Sequence, residues 1–357
     1  MSTGSQTEVV ELDLTFRAID AGSAIADRLP RLFAEAWPSY RSWWLQQGEA
    51  ARESYAFCVR KLRQYMPEMV DSYHELVEGV GGGDVEARFL SHWSPPPLFG
   101  TCSLAACTRG EHVLVHNYDY SPLLCDTTVL ASNWHGTKVL AMSDCTWGAT
   151  DGVNSHGLSV AIAFGGRHAV GEGFGIGLVV RYILEFAADV PSALSILERV
   201  PVRIPYNVAL VDRVGRGVIA RTSPDRPLTL SPEPFGANRQ GATEWPEHSQ
   251  FCATVEREAA LAEAFADPSM TAERLLGKFL EPPIYRHPAT TPWGTVYTVA
   301  YDSDGGTADL AWPGERWRLS LDAFAEGSRT RRTAVALVPA AAGPALLPVE
   351  PHAVLIA

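Results

Sequence analysis

The chain has 357 residues, 46% of them hydrophobic and 20% charged, and a formal net charge of −12, which is enough for one large domain or two ordinary ones around a sizeable core. The acidic balance, without a cluster of Lys or Arg, argues against a nucleic-acid partner or an anionic membrane surface. No apolar run is long enough to span a bilayer, the start MSTGSQTEVVELDLTF lacks a signal-peptide pattern, and the six cysteines have no framework spacing, so reduced thiols in the cytoplasm are expected.

VVELDLTF predicts a short strand near the N-terminus, and from about residue 28 to 90 apolar residues recur at helical spacing. Pro38 and Pro67 should divide this section into separate helices, and Gly81-Gly82-Gly83 should end it. After an extended Ser94-Pro95-Pro96-Pro97, TCSLAACT and HVLVHNYDY read as two strands joined by a turn at Arg109-Gly110-Glu111. TTVLASNW, TKVLAMSD and GLSVAIAF continue in strands. GIGLVVRYILEFA and VPSALSILERV then read as two apolar-striped helices, and PYNVALVDRVGRGVIAR as a hairpin. Glu256 to Phe279 is helical again, and TVYTVAYDSDGGTADLAW is a further hairpin. By periodicity alone the chain is mixed α+β.

The densest chemistry lies between residues 100 and 119. Gly100 is followed by Thr101 and Cys102, two side chains that can attack a carbonyl, at the start of a strand. Asn117-Tyr118-Asp119 ends the returning strand and brings a carboxylate back beside them. In amide-cleaving enzymes with an N-terminal nucleophile, the freed backbone amine at such a residue serves as its base.

These residues carry a family resemblance. Gly100-Thr101-Cys102-Ser103-Leu104-Ala105-Ala106 with Asn117-Tyr118-Asp119 resembles the opening of the mature chain in acyl-CoA:6-aminopenicillanate acyltransferases. That family belongs to the linear-amide C–N hydrolases of the N-terminal-nucleophile superfamily. Gly152-Val153-Asn154-Ser155-His156-Gly157-Leu158 resembles its Gly-Met-Asn-x-x-Gly-Leu, and Asn207 to Asp212 its Asn-bearing strand before a hairpin. WGTVYTVAYD resembles a strand near the family's end, and PEMVDSYHELVEGVGGG its pro-segment. The resemblance implies a four-layer αββα sandwich: residues 1–100 as a helical pro-segment, 101–326 as the catalytic core and 327–357 as a peripheral Ala/Pro-rich extension.

It also implies roles. Self-cleavage of the zymogen between Gly100 and Thr101 would leave the pro-segment as a non-covalent subunit and free the nucleophile. Asp119 would hold the new amine, and Asn207 would donate into the oxyanion hole. His116, Asn154, Phe164 and Arg257 would stand on the substrate side. The family has Cys followed by Thr, whereas this chain has Thr101 followed by Cys102. Thr101 directly follows the glycine, leaves Ser103 and the alanines in family positions, and alternates away from the apolar Cys102, Leu104 and Ala106. Cys102 is the stronger nucleophile by its chemistry, but Thr101 is the expected nucleophile and Cys102 the alternative.

The expected reaction passes an acyl group from an amide or thioester to water or an amine, with a small-molecule acyl donor and no cofactor or metal. Cys102, Cys107, His112 and His116 lack the paired spacing of a zinc site. Two other readings stay open: an inactive relative that binds a small acylated ligand, and an uncut cysteine enzyme in which His116 serves Cys102 as base. A homo-oligomer is left open by the sequence.

Overall fold

The computed structural model describes residues 8–122, 125–289 and 293–337. Strand β1 (Glu8–Asp20) is followed by four helices, α1 (Ile25–Trp44), α2 (Tyr55–Tyr65), α3 (Val70–Gly79) and α4 (Asp84–Leu90). Six strands come next: β2 (Ser103–Cys107), β3 (Val113–Asp119), β4 (Thr128–Ser132), β5 (Val139–Asp144), β6 (Gly148–Asn154) and β7 (Leu158–Phe164). Helices α5 (Ile176–Phe186) and α6 (Val190–Arg199) precede β8 (Tyr206–Asp212), β9 (Gly217–Thr222), β10 (Thr229–Leu230) and β11 (Phe235–Gly236). Helices α7 (Pro246–Phe251), α8 (Thr254–Ala266) and α9 (Ala272–Phe279) lead to β12 (Thr295–Asp302), β13 (Thr307–Trp312), β14 (Glu315–Ser320) and β15 (Gly327–Leu337).

Nine strands form one sheet in the order β10-β9-β8-β7-β6-β5-β4-β1-β15, and six form another in the order β11-β2-β3-β12-β13-β14. Apolar residues from both sheets, among them Leu104, Leu114, Leu140, Val153, Ala209 and Val299, make the core between them. Helices α1 to α6 cover the outer face of the larger sheet. Helices α8 and α9 cover the smaller one through Leu261, Leu275, Leu276 and Phe279. The fold is therefore the αββα sandwich that the resemblance implied.

Several details depart from the sequence pattern. Helix α1 runs through Pro38, because Leu29, Phe33, Trp43 and Trp44 are anchored in the core and packing outweighs the lost hydrogen bond. The glycine run closes α3 at Gly81 and Gly82, both at positive φ, but α4 follows it. Strand β1 lies in the larger sheet, parallel to β4 and antiparallel to β15, so that sheet is mixed and the segment before residue 100 is woven into it. Residues 327–337, expected to be part of a peripheral extension, are a paired edge strand; 338–357 lie outside the described residues. No helix among the described residues is long and apolar enough to cross a membrane.

Candidate active site

Strand β2 has two faces with different chemistry, and the junction residues divide between them. The Thr101 N–H donates to the Asp119 carbonyl at 3.0 Å and Ser103 pairs with Asn117, so Cys102 lies opposite Tyr118. Alternation then sends Thr101 and Ser103 toward α8 and sends Cys102, Leu104 and Ala106 into the core between the sheets. This is the division the alternating pattern predicts.

On the Thr101 face the polar groups are densely paired. Arg286 Nη1 donates to Thr101 Oγ1 at 2.8 Å, and that hydroxyl donates to the Asp119 carbonyl at 3.1 Å. Arg257, fully buried, donates to the Cys102 carbonyl and Ser103 Oγ at 2.8 Å, and to Asn238 Oδ1 at 2.7 Å. Asn238 Nδ2 in turn donates to the Gly100 carbonyl at 3.3 Å and to the Phe164 carbonyl at 2.9 Å. The Asp119 carboxylate accepts from Thr295 Oγ1 at 2.7 Å and lies 3.8 Å from Arg257. Burial raises its carboxyl to about 6, against the pull of Arg257 and Arg286. His248 stands near the Gly100 backbone; burial, then Arg257, holds it down to about 4. Phe99, Phe164 and Trp245 close over this side, with Phe99 4.9 Å from Phe164 and 5.4 Å from Trp245.

The other face holds one polar network in an apolar interior. His116, on the same face as Cys102, pairs through Nδ1 with Asp151 Oδ2 at 2.8 Å, and both side chains are fully buried. Asp151 comes from β6 in the opposite sheet. Between β5 and β6 the register shifts, so Met142 and Ser143 pair with Asp151 and Ala149 and leave Thr150 as an extra residue. Thr150 Oγ1 and Asp151 both reach Tyr297: the hydroxyls are 2.9 Å apart, and Tyr297 donates to Asp151 Oδ2 at 2.6 Å. Tyr301 donates to the other carboxylate oxygen. The remaining imidazole nitrogen, Nε2, is buried without a hydrogen-bond partner. Burial disfavours its protonation, but Asp151 and then the nearby Cys102 thiol outweigh that and push His116 up to about 10.

The model of the acyl-coenzyme A:6-aminopenicillanic acid acyl-transferase family matches residues 107–317, more than half of the chain. The chain belongs to this family. As a member of it, the protein is an enzyme of the acyltransferase or amide C–N hydrolase type. Among solved structures the chain is similar to a mutant of conjugated bile acid hydrolase from Clostridium perfringens, at 12% identity over 67% of this chain and 99% of that one, with a TM-score of 0.48. Penicillin V acylase from Agrobacterium tumefaciens is 13% identical over 64% of this chain and 90% of its own, with a TM-score of 0.43. A Caenorhabditis elegans ortholog of N-acylethanolamine-hydrolyzing acid amidase is 13% identical over 57% and 93%, with a TM-score of 0.39. No curated protein matches the chain by sequence.

The family match begins at Cys107, so the junction must be read from this chain's own geometry. Four of the sequence candidates take places different from those expected. Asn207 does not reach the junction; its Nδ2 donates to the Ala237 and Arg239 carbonyls at 2.7 and 3.0 Å and braces the loop that carries Asn238. Asn154 is a turn residue: it donates to the Leu184 and Ala187 carbonyls and accepts from the His156 and Leu158 amides. Arg257 is a buried clamp on β2, and Phe164 contributes its backbone carbonyl and its ring to the wall around Gly100. Asp119, Thr101 and Cys102 do come together, with His116 joining through the opposite face.

Asn238, Asp151 and Arg286 were not singled out in the sequence. Asp151 carried a signal, since it is the one charged residue in the small-residue strand GATDGVN. Asn238 and Arg286 lie in segments without periodicity and carried none.

Proposed function

We propose that the enzyme takes an acyl group from an amide or thioester onto Cys102 and passes it to water or an amine, after a self-cleavage that frees the Cys102 amine. The observation that carries this reading is the orientation of the two side chains on β2. The Cys102 thiol, directed at the Asp119 carbonyl at 4.0 Å, shares its face with the His116 imidazole, which Asp151 holds toward its cationic form and which suits a neighbouring thiolate. The Thr101 hydroxyl instead accepts from an arginine and donates to a backbone carbonyl, and neither of these partners is a base. A hydroxyl needs a base to become a nucleophile. In this reading Asn238, held by Arg257 and now on the Gly100 carbonyl, serves the substrate's oxyanion only after the chain through Thr101 has been cut away. A cavity of about 240 Å³ lined by Tyr40, Trp43, Leu98 and Tyr118 adjoins the residue opposite Cys102 and offers room for an acyl chain.

A second reading has its own support. Asn238 and His248 both attend the Gly100 carbonyl, which suits a cut at Gly100–Thr101 with Thr101 as the nucleophile. Incubation with an activated acyl ester, followed by peptide mapping, separates the two. The expected product is an acyl group on Cys102 that neutral hydroxylamine removes, as it does a thioester. A hydroxylamine-resistant adduct on Thr101 would establish the second reading, and a chain that takes up no acyl group would sink both.

A further inference from the structure

The cavity beside Tyr118 is not walled as a hydrocarbon slot would be. Besides Tyr40, Trp43 and Tyr118, its lining includes two carboxylates, Asp126 and Asp144. Tyr118 lies across from Cys102 on the neighbouring strand, so this space is in line to receive a part of the substrate remote from the reacting carbonyl.

The two carboxylates lack the partner that half-buried acids normally have. Asp126 accepts from the Tyr40 hydroxyl, from Ser143 Oγ at 2.9 Å and from the Thr146 N–H at 3.4 Å, all of them neutral donors. Asp144 has the Cys145 thiol at 3.7 Å, a weak donor. Arg17 also lines the cavity, but its guanidinium is paired with Glu35 at 2.7 Å and acts on Asp126 only through space. Among the described residues, no cationic side chain forms an ion pair with Asp126 or Asp144. Burial, and then the charge of Asp126, push the Asp144 carboxyl up to about 7, as expected of two acids that share a site without a counter-charge.

A second observation points to a ligand. Thr146 is 3% exposed and lines the same cavity, and its Oγ1 has no hydrogen-bond partner. A hydroxyl buried in this way is uncommon and costs stability; here it leaves an acceptor open beside the two acids. Tyr40 and Trp43, with ring centroids 6.4 Å apart, and Tyr118 add aromatic surface, which attracts a cation. Two carboxylates, an open hydroxyl and three rings suit a group that is both positive and a hydrogen-bond donor.

We propose that this cavity holds a protonated amine carried by the substrate away from its reacting carbonyl, with Asp144 and Asp126 as counter-charge and Thr146 Oγ1 as a further acceptor. This rests on the reading of Cys102 as the acylated residue and names the substrate class of that site. The ammonium is bound, not acylated. Two kinds of substrate have this chemistry: an acyl donor with an amine at the end of its chain, and a diamine acceptor whose other end takes the acyl group.

The test uses pairs that differ by one group, on full-length chain at neutral pH, with spontaneous hydrolysis subtracted. For the donor, 6-aminohexanoyl and 8-aminooctanoyl p-nitrophenyl esters are compared with the heptanoyl and nonanoyl esters, in which methyl replaces ammonium. For the acceptor, amide formation from the heptanoyl ester is compared between 1,6-diaminohexane and hexylamine. In the arm that names the source, the ammonium-bearing partner should be preferred in kcat/KM by roughly tenfold or more, and Asp144→Asn should bring that ratio close to one. Binding is measured separately by calorimetry with hexylammonium and hexan-1-ol. Wild type should favour hexylammonium by roughly tenfold or more, Asp144→Asn should lose that preference, and Thr146→Val should weaken it a few-fold. If Asp144→Asn fails to fold, the wild-type ratios still decide. A preference that survives both Asp144→Asn and Asp126→Asn would place the ammonium elsewhere and overturn the assignment. Turnover without an ammonium preference in either arm, with hexylammonium bound no better than hexanol, would overturn the cation site and leave the Cys102 reading standing. Hexylammonium binding that needs Asp144, in a chain that turns over no ester, would do the reverse. Neither turnover nor binding would overturn both.

Discussion

The two faces of β2 use buried polar groups in opposite ways. On the Thr101 face, Arg257, Arg286, Asn238, Asp119 and Thr295 pair with one another and with the backbone around the junction, leaving Asp119 Oδ2 without a hydrogen bond. That face has two guanidinium groups, fixed donors and one carboxyl raised to about 6. On the Cys102 face a single carboxylate–imidazole pair sits among apolar side chains, with one ring nitrogen uncommitted and a thiol beside it. The first arrangement holds the Gly100 carbonyl and, on the proposed function, would stabilise charge that develops on a carbonyl. The second, with its imidazole pushed up to about 10, favours a cation beside the thiol. One extended strand borders both arrangements because successive side chains point to opposite sides.

The largest expected effect comes from removing the thiol. Cys102→Ala should lower acyl transfer by roughly 10⁴-fold or more, as loss of a nucleophile does, whereas Thr101→Ser should stay within about tenfold because the hydroxyl that Arg286 and Asp119 hold is kept. Measuring kcat/KM for both variants breaks the comparison if the order is reversed. Next is the donor. Asn238→Ala should reduce kcat by about 10²–10³-fold with little change in KM, as loss of an oxyanion-hole hydrogen bond does. Asn207→Ala should act only indirectly, by loosening the 237–239 loop, and should cost stability of about 1–3 kcal/mol. Equal losses of kcat at normal stability in the two variants would undo that distinction.

The smallest effect concerns pH. Asp119 is held up to about 6 against its usual 3.8 because burial disfavours its charge. The folded chain therefore binds this proton more tightly than the unfolded chain does. Below about 3.8 the group costs nothing, and through about 6 the cost grows to about 3 kcal/mol. Denaturant titrations of wild type and Asp119→Asn should thus diverge as pH rises across that window, with wild type losing stability relative to the variant. Parallel curves would show that Arg257 and Arg286 compensate the carboxylate fully.

The patterns that repeat along the chain were legible. The alternation in TCSLAACT placed Cys102, Leu104 and Ala106 on the apolar face before any fold was known. The hairpins around Arg109-Gly110-Glu111 and Arg213-Val214-Gly215 stand where turn residues separate apolar runs, and Asp189 caps α6 with a full capping box. The αβ order led to the sandwich through the resemblance. Local likeness did not give the contacts: Asn207 resembles the family's oxyanion donor because it stands on a strand before a hairpin, but its amide is bound to the Ala237 and Arg239 carbonyls, and it is Asn238 in an aperiodic loop that reaches the Gly100 carbonyl. Strand β14 and the edge strand β15 were not read either, because their mixed charges hide the alternation.

Local periodicity, turn chemistry and the junction motif are properties of neighbouring residues, so the amino-acid sequence by itself determined most of the elements, the division of β2 into two faces and the candidate nucleophile pair. Which side chains meet across the sandwich is a property of register and sheet packing. His116 on β3 and Asp151 on β6 are 35 residues apart, and the extra residue Thr150 in β6 turns two polar side chains toward one tyrosine. Only the tertiary structure decided that pairing, because a buried carboxylate is stable only where several distant donors converge on it.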